Sequence, residues 1–246
     1  MHRFFAPALD PGDEIVALPR EETEHLTRVL RLGVGDTVAV FDGRGHEFLG
    51  RVVAADRREA RVQLVARRNP AAEPAVAITL AQAVLKGDKM DDVVRDAVML
   101  GVAAIQPVVT RRSETTAAAL ARGARLDRWR RVALASVKQS GRAVLPDIRR
   151  PLALESLLED RAAALTLMFV EPAAGAPVEP LSALRRDPAP PDAVVLVGPE
   201  GGWIDEELQA ARDRRVRLVT LGRRTLRADA APVAAISVLL FLWNEL

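Results

Sequence analysis

The stretch Val194-Val195-Leu196-Val197-Gly198-Pro199-Glu200-Gly201-Gly202-Trp203-Ile204-Asp205 constrains this chain more than any other. Four apolar, mostly β-branched residues predict a buried strand, which stops in a proline and three glycines before a helix opening with Asp205-Glu206-Glu207. Glycines there let a ligand approach bare backbone N–H groups at the carboxyl edge of a strand, where open α/β sheets collect ligands. A plain strand-to-helix turn reads the same way. A second glycine turn follows, Leu218-Val219-Thr220-Leu221-Gly222-Arg223-Arg224-Thr225-Leu226-Arg227. Two such loops after consecutive strands would close over one small molecule.

The chain before these loops divides in two. Thr37 to Phe41, Glu47 to Ala54 and Ala60 to Ala66 are strand candidates, separated by Asp42-Gly43-Arg44-Gly45 and Asp56-Arg57-Arg58-Glu59. They predict a small barrel, preceded by a brief helix over 22–32 that ends at Gly33. Asn69-Pro70-Ala71-Ala72-Glu73-Pro74 breaks every pattern, so the domain boundary falls there: 1–72 and 73–246. Beyond it strands and helices alternate, as a parallel sheet with crossovers requires. Strands are expected at Val76 to Val84, Ala104 to Val109 and Leu165 to Val170. Helices are expected from a cap at Asp88 to Gly101, from Leu126 to Ser140, from Asp205, and from Ala231 to Trp243. Glu171 to Pro191 reads as a long connection with one short helix.

With 246 residues, about half of them apolar, the chain can bury one large or two modest cores. Cysteine is absent, which excludes disulfides and thiolate metal sites, and His2, His25 and His46 lack metal-ligand spacing. The N-terminal residues lack the apolar core of a signal peptide, so the expected location is cytoplasmic, and the last apolar run is too short for a bilayer. Net charge is only +2, but its distribution is uneven. Residues 107–150 hold eleven basic side chains against three acidic ones, and seven arginines cluster between 212 and 227. In the helix at 126–140, Leu126, Trp129, Ala133 and Val137 share one face, and Arg128, Arg131, Lys138 and Arg142 lie opposite. Arginine forks suit phosphate; a solvated basic surface is the plainer reading. Walker, Gly-x-Gly-x-x-Gly and Gly-x-Ser-x-Gly motifs are all missing. What remains is equipment for holding a cofactor by backbone and a polyanion by charge.

Gly198-Pro199-Glu200-Gly201-Gly202, followed by Leu221-Gly222-x-x-x-Leu226-Arg227-x-Asp229-x-Ala231-Pro232, resembles the two C-terminal motifs of the RsmE family, the 16S ribosomal RNA uridine-N3 methyltransferases of the SPOUT class. Arg3-Phe4-Phe5, His25-Leu26-x-x-Val29-Leu30-Arg31, Gly35-Asp36 and Phe41-Asp42-Gly43-x-Gly45 are similar to that family's PUA-like barrel. Lys86-Gly87-Asp88-Lys89-Met90-Asp91, Leu100-Gly101-Val102, Ile105-Gln106-Pro107 and Gln139-Ser140-Gly141-Arg142 are similar to its middle motifs. The likeness spans nearly the whole chain. Met99, Arg223 and Ala228-Asp229-Ala230 depart from it, where the family usually has glutamate, proline and Thr-Glu-Thr.

The resemblance implies an α/β protein: a small N-terminal PUA-like β-barrel, then a SPOUT domain with a parallel sheet and a C-terminal trefoil knot, which general topology rules would not predict. It implies a homodimer, S-adenosylmethionine held by Phe169, Val197, Gly198, Gly202, Leu221, Gly222 and Leu226, and 16S ribosomal RNA or the small subunit as partner. Uridine N3 carries a weakly acidic proton, so transfer to it needs that proton removed or the anion stabilised. Glu200 and Asp229 are the candidate bases, and Arg227 the group that neutralises charge on the uracil oxygens. Glu200 as a turn carboxylate and Asp229 as the N-cap of the last helix are the plainer readings. Arg3, Arg28, Arg31, Arg111, Arg112, Arg128, Arg131, Lys138 and Arg142 are expected to grip RNA. A non-catalytic ribosome-assembly factor and a knotted ribose 2′-O-methyltransferase are the alternatives.

Overall fold

The computed structural model describes residues 1–56, 58–159, 163–172 and 178–246. These fall into two units: Met1–Glu73 with Val137–Leu145, and Pro74–Ser136 with Pro146–Leu246. Arg57 in the expected turn at 56–59, and 173–177 in the expected connection at 171–191, lie outside the described residues.

The first unit is a five-stranded sheet curled into a half-barrel, built from β1 (Arg3–Phe5), β2 (Ile15–Ala17), β3 (Thr37–Phe41), β4 (Glu47–Ala55) and β5 (Ala60–Arg68) in the order β1-β3-β4-β5-β2. β1 pairs parallel with β3, and the remaining pairs are antiparallel. Inward residues Phe4, Val16, Val38, Val40, Val52 and Val62 form its core with Leu9, Leu18 and Leu26. The single helix expected at 22–32 is α1 (Arg20–Glu24) followed by a π-helical turn, His25–Val29. The turn buries Leu26, and Leu30 N–H bonds to the His25 carbonyl. Arg31, at φ 54°, closes it before Gly33 is reached.

Residues 137–145 join this unit because buried charges hold them. Arg3 contacts the Glu47 carboxylate and the carbonyls of Val137, Lys138 and Arg142. Lys138 pairs with Glu22, and Arg142 Nε donates to Glu73 at 3.0 Å.

The second unit is built on a parallel sheet of β11-β13-β10-β12-β6-β7-β8, with β9 also paired to β7. In chain order it comprises β6 (Ala77–Ala83), α2 (Lys89–Met99), β7 (Ala104–Val109), α3 (Ala117–Arg122), α4 (Arg125–Ser140, whose last turn belongs to the first unit), β8 (Asp147–Ile148), β9 (Leu152–Ala153) and α5 (Leu154–Glu159). Then follow β10 (Leu165–Phe169), β11 (Glu179–Pro180), a 3-10 helix over Leu181–Arg186, β12 (Asp192–Val197), α6 (Asp205–Asp213), β13 (Arg217–Thr220) and α7 (Ala231–Leu242). The central strands are near-continuous apolar runs, as strands covered on both faces must be. Leu154, Leu158, Met168, Leu196, Leu208 and Leu218 pack one core cluster. α5 packs on α6, and α2 on α7. None of the described helices is long and apolar enough to cross a membrane.

Candidate functional site

β6 and β12 are neighbours in the sheet, yet the chain leaves them toward different helices, α2 and α6. Such a divergence opens a crevice at the carboxyl ends of parallel strands. A cavity of about 390 Å³ lies at this end of the sheet. Its walls are Phe169–Pro172 after β10, Val197–Glu200 with Gly202 and Trp203 after β12, Thr220, Leu221 and Arg224–Asp229 after β13, and Lys89 at the start of α2. The two glycine loops picked out in the sequence therefore meet at one pocket.

The loop after β12 is shaped by two positions where a side chain would be crowded or the backbone strained. A Cβ on Gly198 would lie 3.2 Å from the Trp203 ring, and Gly202 has φ +69° beside the Glu171 carboxylate. Gly202 N–H bonds to the Pro199 carbonyl at 2.9 Å, closing the turn. Trp203 Nε1 donates to the Phe169 carbonyl at 2.8 Å, which ties this loop to the one after β10. The buried Glu207 accepts from Ile204 N at 3.1 Å and from Arg111 N at 2.9 Å, fixing the start of α6.

The loop after β13 is more exposed. Arg227 pairs with Asp229 at 3.1 Å, and its carbonyl accepts from Ala230 N and Ala231 N. Pro232 then opens α7 at a position where its missing N–H costs nothing. The N-cap of α7 is Ala230, with no side-chain bond, so Asp229 spends its carboxylate on Arg227 rather than on the helix.

Of the residues expected at the cofactor, Phe169, Val197, Gly198, Gly202, Leu221 and Leu226 line the cavity. Gly222, at φ +131°, sits in the same loop but outside the lining. Glu200, Arg227 and Asp229 line it too. Glu200 accepts from Lys89 Nζ at 2.8 Å and from Lys86 N at 3.2 Å. Burial works to raise its carboxyl, but the Lys89 ammonium and loop N–H groups outweigh that and hold it below the ordinary glutamate value of 4.5. Asp229 is likewise held below its ordinary 3.8: desolvation opposes, while its own backbone N–H, the Arg227 guanidinium and Lys89 prevail. With both values depressed, what the pairs add to loop stability is fully present above those ordinary values. It is lost as pH falls through the lowered ones.

The basic residues nominated for RNA separate into three groups. Arg28, Arg31, Arg111, Arg112 and Arg131 are exposed. Arg142 is buried and Arg3 and Lys138 are half-buried; Arg3 is engaged by Glu47, Arg142 by Glu73 and Lys138 by Glu22, and Arg3 also holds three backbone carbonyls. Their donors hold the first unit together. Arg128 pairs with Asp88 at 3.1 Å and with Asp91, so the carboxylates missing from the α4 stripe arrive from α2 and its cap. For the same reason Asp88, at the cap position of α2, makes no side-chain cap bond.

The resemblance places the cofactor between the loops 169–172, 197–202 and 221–226, which include Glu171 and Arg224; Lys89 and Trp203, which also line the cavity, lie outside them and were overlooked. Lys89 lay inside a motif already noted, but nothing in the spacing shows that a lysine 111 positions before Glu200 will reach it. Among the described residues no cluster of metal-ligating side chains occurs.

A curled β half-barrel joined to a parallel-sheet domain, with a pocket of glycine loops at the carboxyl ends of its strands, is the architecture over which this chain matches RNA methyltransferases. Residues 72–240 match the family model described as an RNA methyltransferase domain, and residues 18–65 the one described as an RNA methyltransferase PUA domain. The chain belongs to the ribosomal RNA small subunit methyltransferase E family. It is 32% identical to the member from Synechocystis, over 90% of this chain and 71% of that one, and 29% identical to the member from Aquifex aeolicus, over 98% and 99%. Among solved structures it is similar to the Neisseria gonorrhoeae ribosomal RNA small subunit methyltransferase E bound to S-adenosyl methionine, at TM-score 0.87 and 32% identity over 99% and 98% of the two chains. It is also similar to a Legionella pneumophila methyltransferase in complex with the same cofactor, at TM-score 0.86 and 28% identity over 97% and 96%.

Proposed function

We propose that this protein transfers a methyl group from S-adenosylmethionine to N3 of a uridine in 16S ribosomal RNA. The observation that carries the reading is the convergence of the loops after β10, β12 and β13 on one cavity. The residues present fit that cofactor. The loop after β12 keeps its backbone open at Gly198 and Gly202, Phe169, Val197, Leu221 and Leu226 offer apolar wall, and the Glu171 carboxylate suits hydroxyl or cationic groups. When bound, the cofactor supplies an electrophilic methyl on a sulfonium.

In this reading the chain's own residues position and neutralise. The Trp203 bond to Phe169 keeps two walls of the pocket in register. Arg227, held by Asp229, faces negative charge growing on the uracil oxygens. Glu200 and Asp229 are carboxylates already engaged by cations, which favours electrostatic positioning over proton abstraction as their part. The exposed Arg28 and Arg31 of the first unit, and Arg111, Arg112 and Arg131 of the second, are proposed to contact RNA phosphates. The C-terminal segment after β13 is proposed to complete the trefoil knot, and the protein to act in the cytoplasm.

α7 supports a homodimer. It is apolar on every side, which ordinarily requires burial all round, yet Val238 is 39% and Phe241 62% exposed. A second copy covering this face would satisfy it. Phe241→Glu is expected to convert a dimer into a monomer by light scattering and to lower transfer by at least about tenfold, since a buried unpaired charge is prohibitive. A wild-type protein that runs as a monomer at micromolar concentration would remove this interface.

The test of the whole reading is incubation of the protein with labelled S-adenosylmethionine and undermodified small ribosomal subunits. Mass mapping of the labelled nucleoside should give N3-methyluridine. Label on a ribose 2′-oxygen, or none, overturns it.

A further inference from the structure

Lys89 is the first residue of α2, in a turn that also holds Asp91 and Asp92. The start of a helix carries partial positive charge and favours acidic side chains, so a lysine there opposes the dipole unless it meets an anion. Its ammonium reaches the cavity and lies 2.8 Å from Glu200 Oε1, on the loop after β12. Glu200 is itself held by Lys86 N, so the ammonium is anchored rather than free to swing. It also acts electrostatically on Asp229, on the loop after β13. One cation thus bonds a carboxylate of one loop and acts electrostatically on that of another, at the crevice between β6 and β12.

We infer that Lys89 is a catalytic residue of this site, its ammonium meeting a carbonyl oxygen of the uracil and stabilising the anion formed when N3 gives up its proton. The inference rests on the N3 reading above. The uracil anion spreads its charge over O2, N3 and O4, and a compact ammonium with three donors can bond to an oxygen while keeping Glu200. The N3–H bond breaks with its proton passing to solvent water, and the electron pair stays on N3. That pair forms the new N3–C bond, and the pair of the breaking C–S bond stays on sulfur. No carboxylate has to act as a strong base, and the two nearby carboxylates, held low by their cations, are poorly suited to do so.

The other charged groups facing Lys89 across the cavity are Arg227, which is paired with Asp229, together with Arg224 and Glu171. On the approach from β6, Lys86 is paired with Glu114 at 2.6 Å. Glu200 is the one carboxylate bonded directly to the Lys89 ammonium, whereas the Asp229–Arg227 and Lys86–Glu114 pairs are each neutral overall, and Asp88 and Asp91 beside it are paired with Arg128 of α4.

The test compares wild type, Lys89→Met, Lys89→Arg and Glu200→Gln in single-turnover transfer to undermodified small subunits across pH 6 to 9.5, with cofactor affinity measured by calorimetry. Lys89→Met should slow transfer at neutral pH by roughly 100-fold. It should also move the midpoint of the pH–rate profile upward by on the order of one unit. Lys89→Arg should keep the wild-type midpoint, and the rates of all variants are compared at cofactor concentrations that saturate each by its measured affinity.

Glu200→Gln separates anion stabilisation from a merely structural salt bridge. It leaves the ammonium in place, so its midpoint should not rise; a Glu200→Gln profile that copies Lys89→Met overturns the inference. Binding without turnover gives a second reading. 5-Fluorouridine, whose N3 proton is more acidic, should bind several-fold more tightly than uridine in an otherwise identical RNA, and Lys89→Met should abolish that preference. A slowed Lys89→Met with an unmoved midpoint and an intact preference also overturns it. Wild type that makes no N3-methyluridine would instead defeat the underlying reading.

Discussion

Arg3→Met is expected to destabilise the protein by about 3–5 kcal/mol in urea unfolding, the cost of breaking a buried ion pair by removing one partner. Arg3 and Glu47 are 10% and 3% exposed. The guanidinium donates to Glu47 at 2.9 and 3.2 Å and to the carbonyls of Val137, Lys138 and Arg142 at 2.7 to 2.9 Å, and it lies 4.9 Å from the centre of the Phe41 ring. Methionine fills part of the volume and satisfies none of these acceptors, leaving Glu47 with Arg68 alone at 2.9 Å. Arg28→Gln, at an exposed position, should change stability by no more than about 0.5 kcal/mol. In the function proposed here it should weaken RNA binding and flatten its salt dependence. A loss under about 1 kcal/mol for Arg3→Met would return Arg3 to the RNA-contacting group.

Gly202→Ala is expected to weaken S-adenosylmethionine binding by roughly 10- to 100-fold by calorimetry, while the first unit stays unaffected. Gly202 has φ +69°, where an alanine costs about 1–2 kcal/mol, and its Cβ would approach Glu171 Oε1 to 3.0 Å. The strain is relieved by rotating the backbone of the Pro199–Trp203 turn. That rotation moves the cavity wall and pulls on the Trp203 bond to Phe169. Gly35→Ala is the control: it too has positive φ, +97°, but open space around it and no place in the cavity. It should cost stability and leave the cofactor affinity alone. Equal effects from the two variants would mean that the Gly202 turn does not hold the cofactor.

The elements legible in the chain were those whose burial pattern is local. Thr37–Phe41 and Ala104–Val109 begin and end where alternation or continuous apolarity predicts, and the helices from Asp205 and Ala231 start where expected. Short pieces such as β2, β8, β9 and β11 were not legible, because two or three residues carry no periodicity and exist only through their neighbours. The π-helical turn at His25–Val29 belongs with them: burial of Leu26 accompanies it, and no propensity marks it.

By itself, the sequence determined the glycine loops, their attachment to strand ends and the two-part α/β organisation. The positive φ at Gly202, which glycine favours, and the periodicity of buried strands are local properties of the chain. The tertiary structure decided which charges are free. A basic stripe on α4 looks unpaired along the chain, but Asp88, Asp91 and Glu22 meet it from other elements, and Arg3 and Arg142 are drawn inward by Glu47 and Glu73. Lys89 became part of the pocket in the same way. Ion pairing acts through space over a few ångströms and takes no account of separation along the chain, so only the folded structure tells a structural arginine from one that faces solvent.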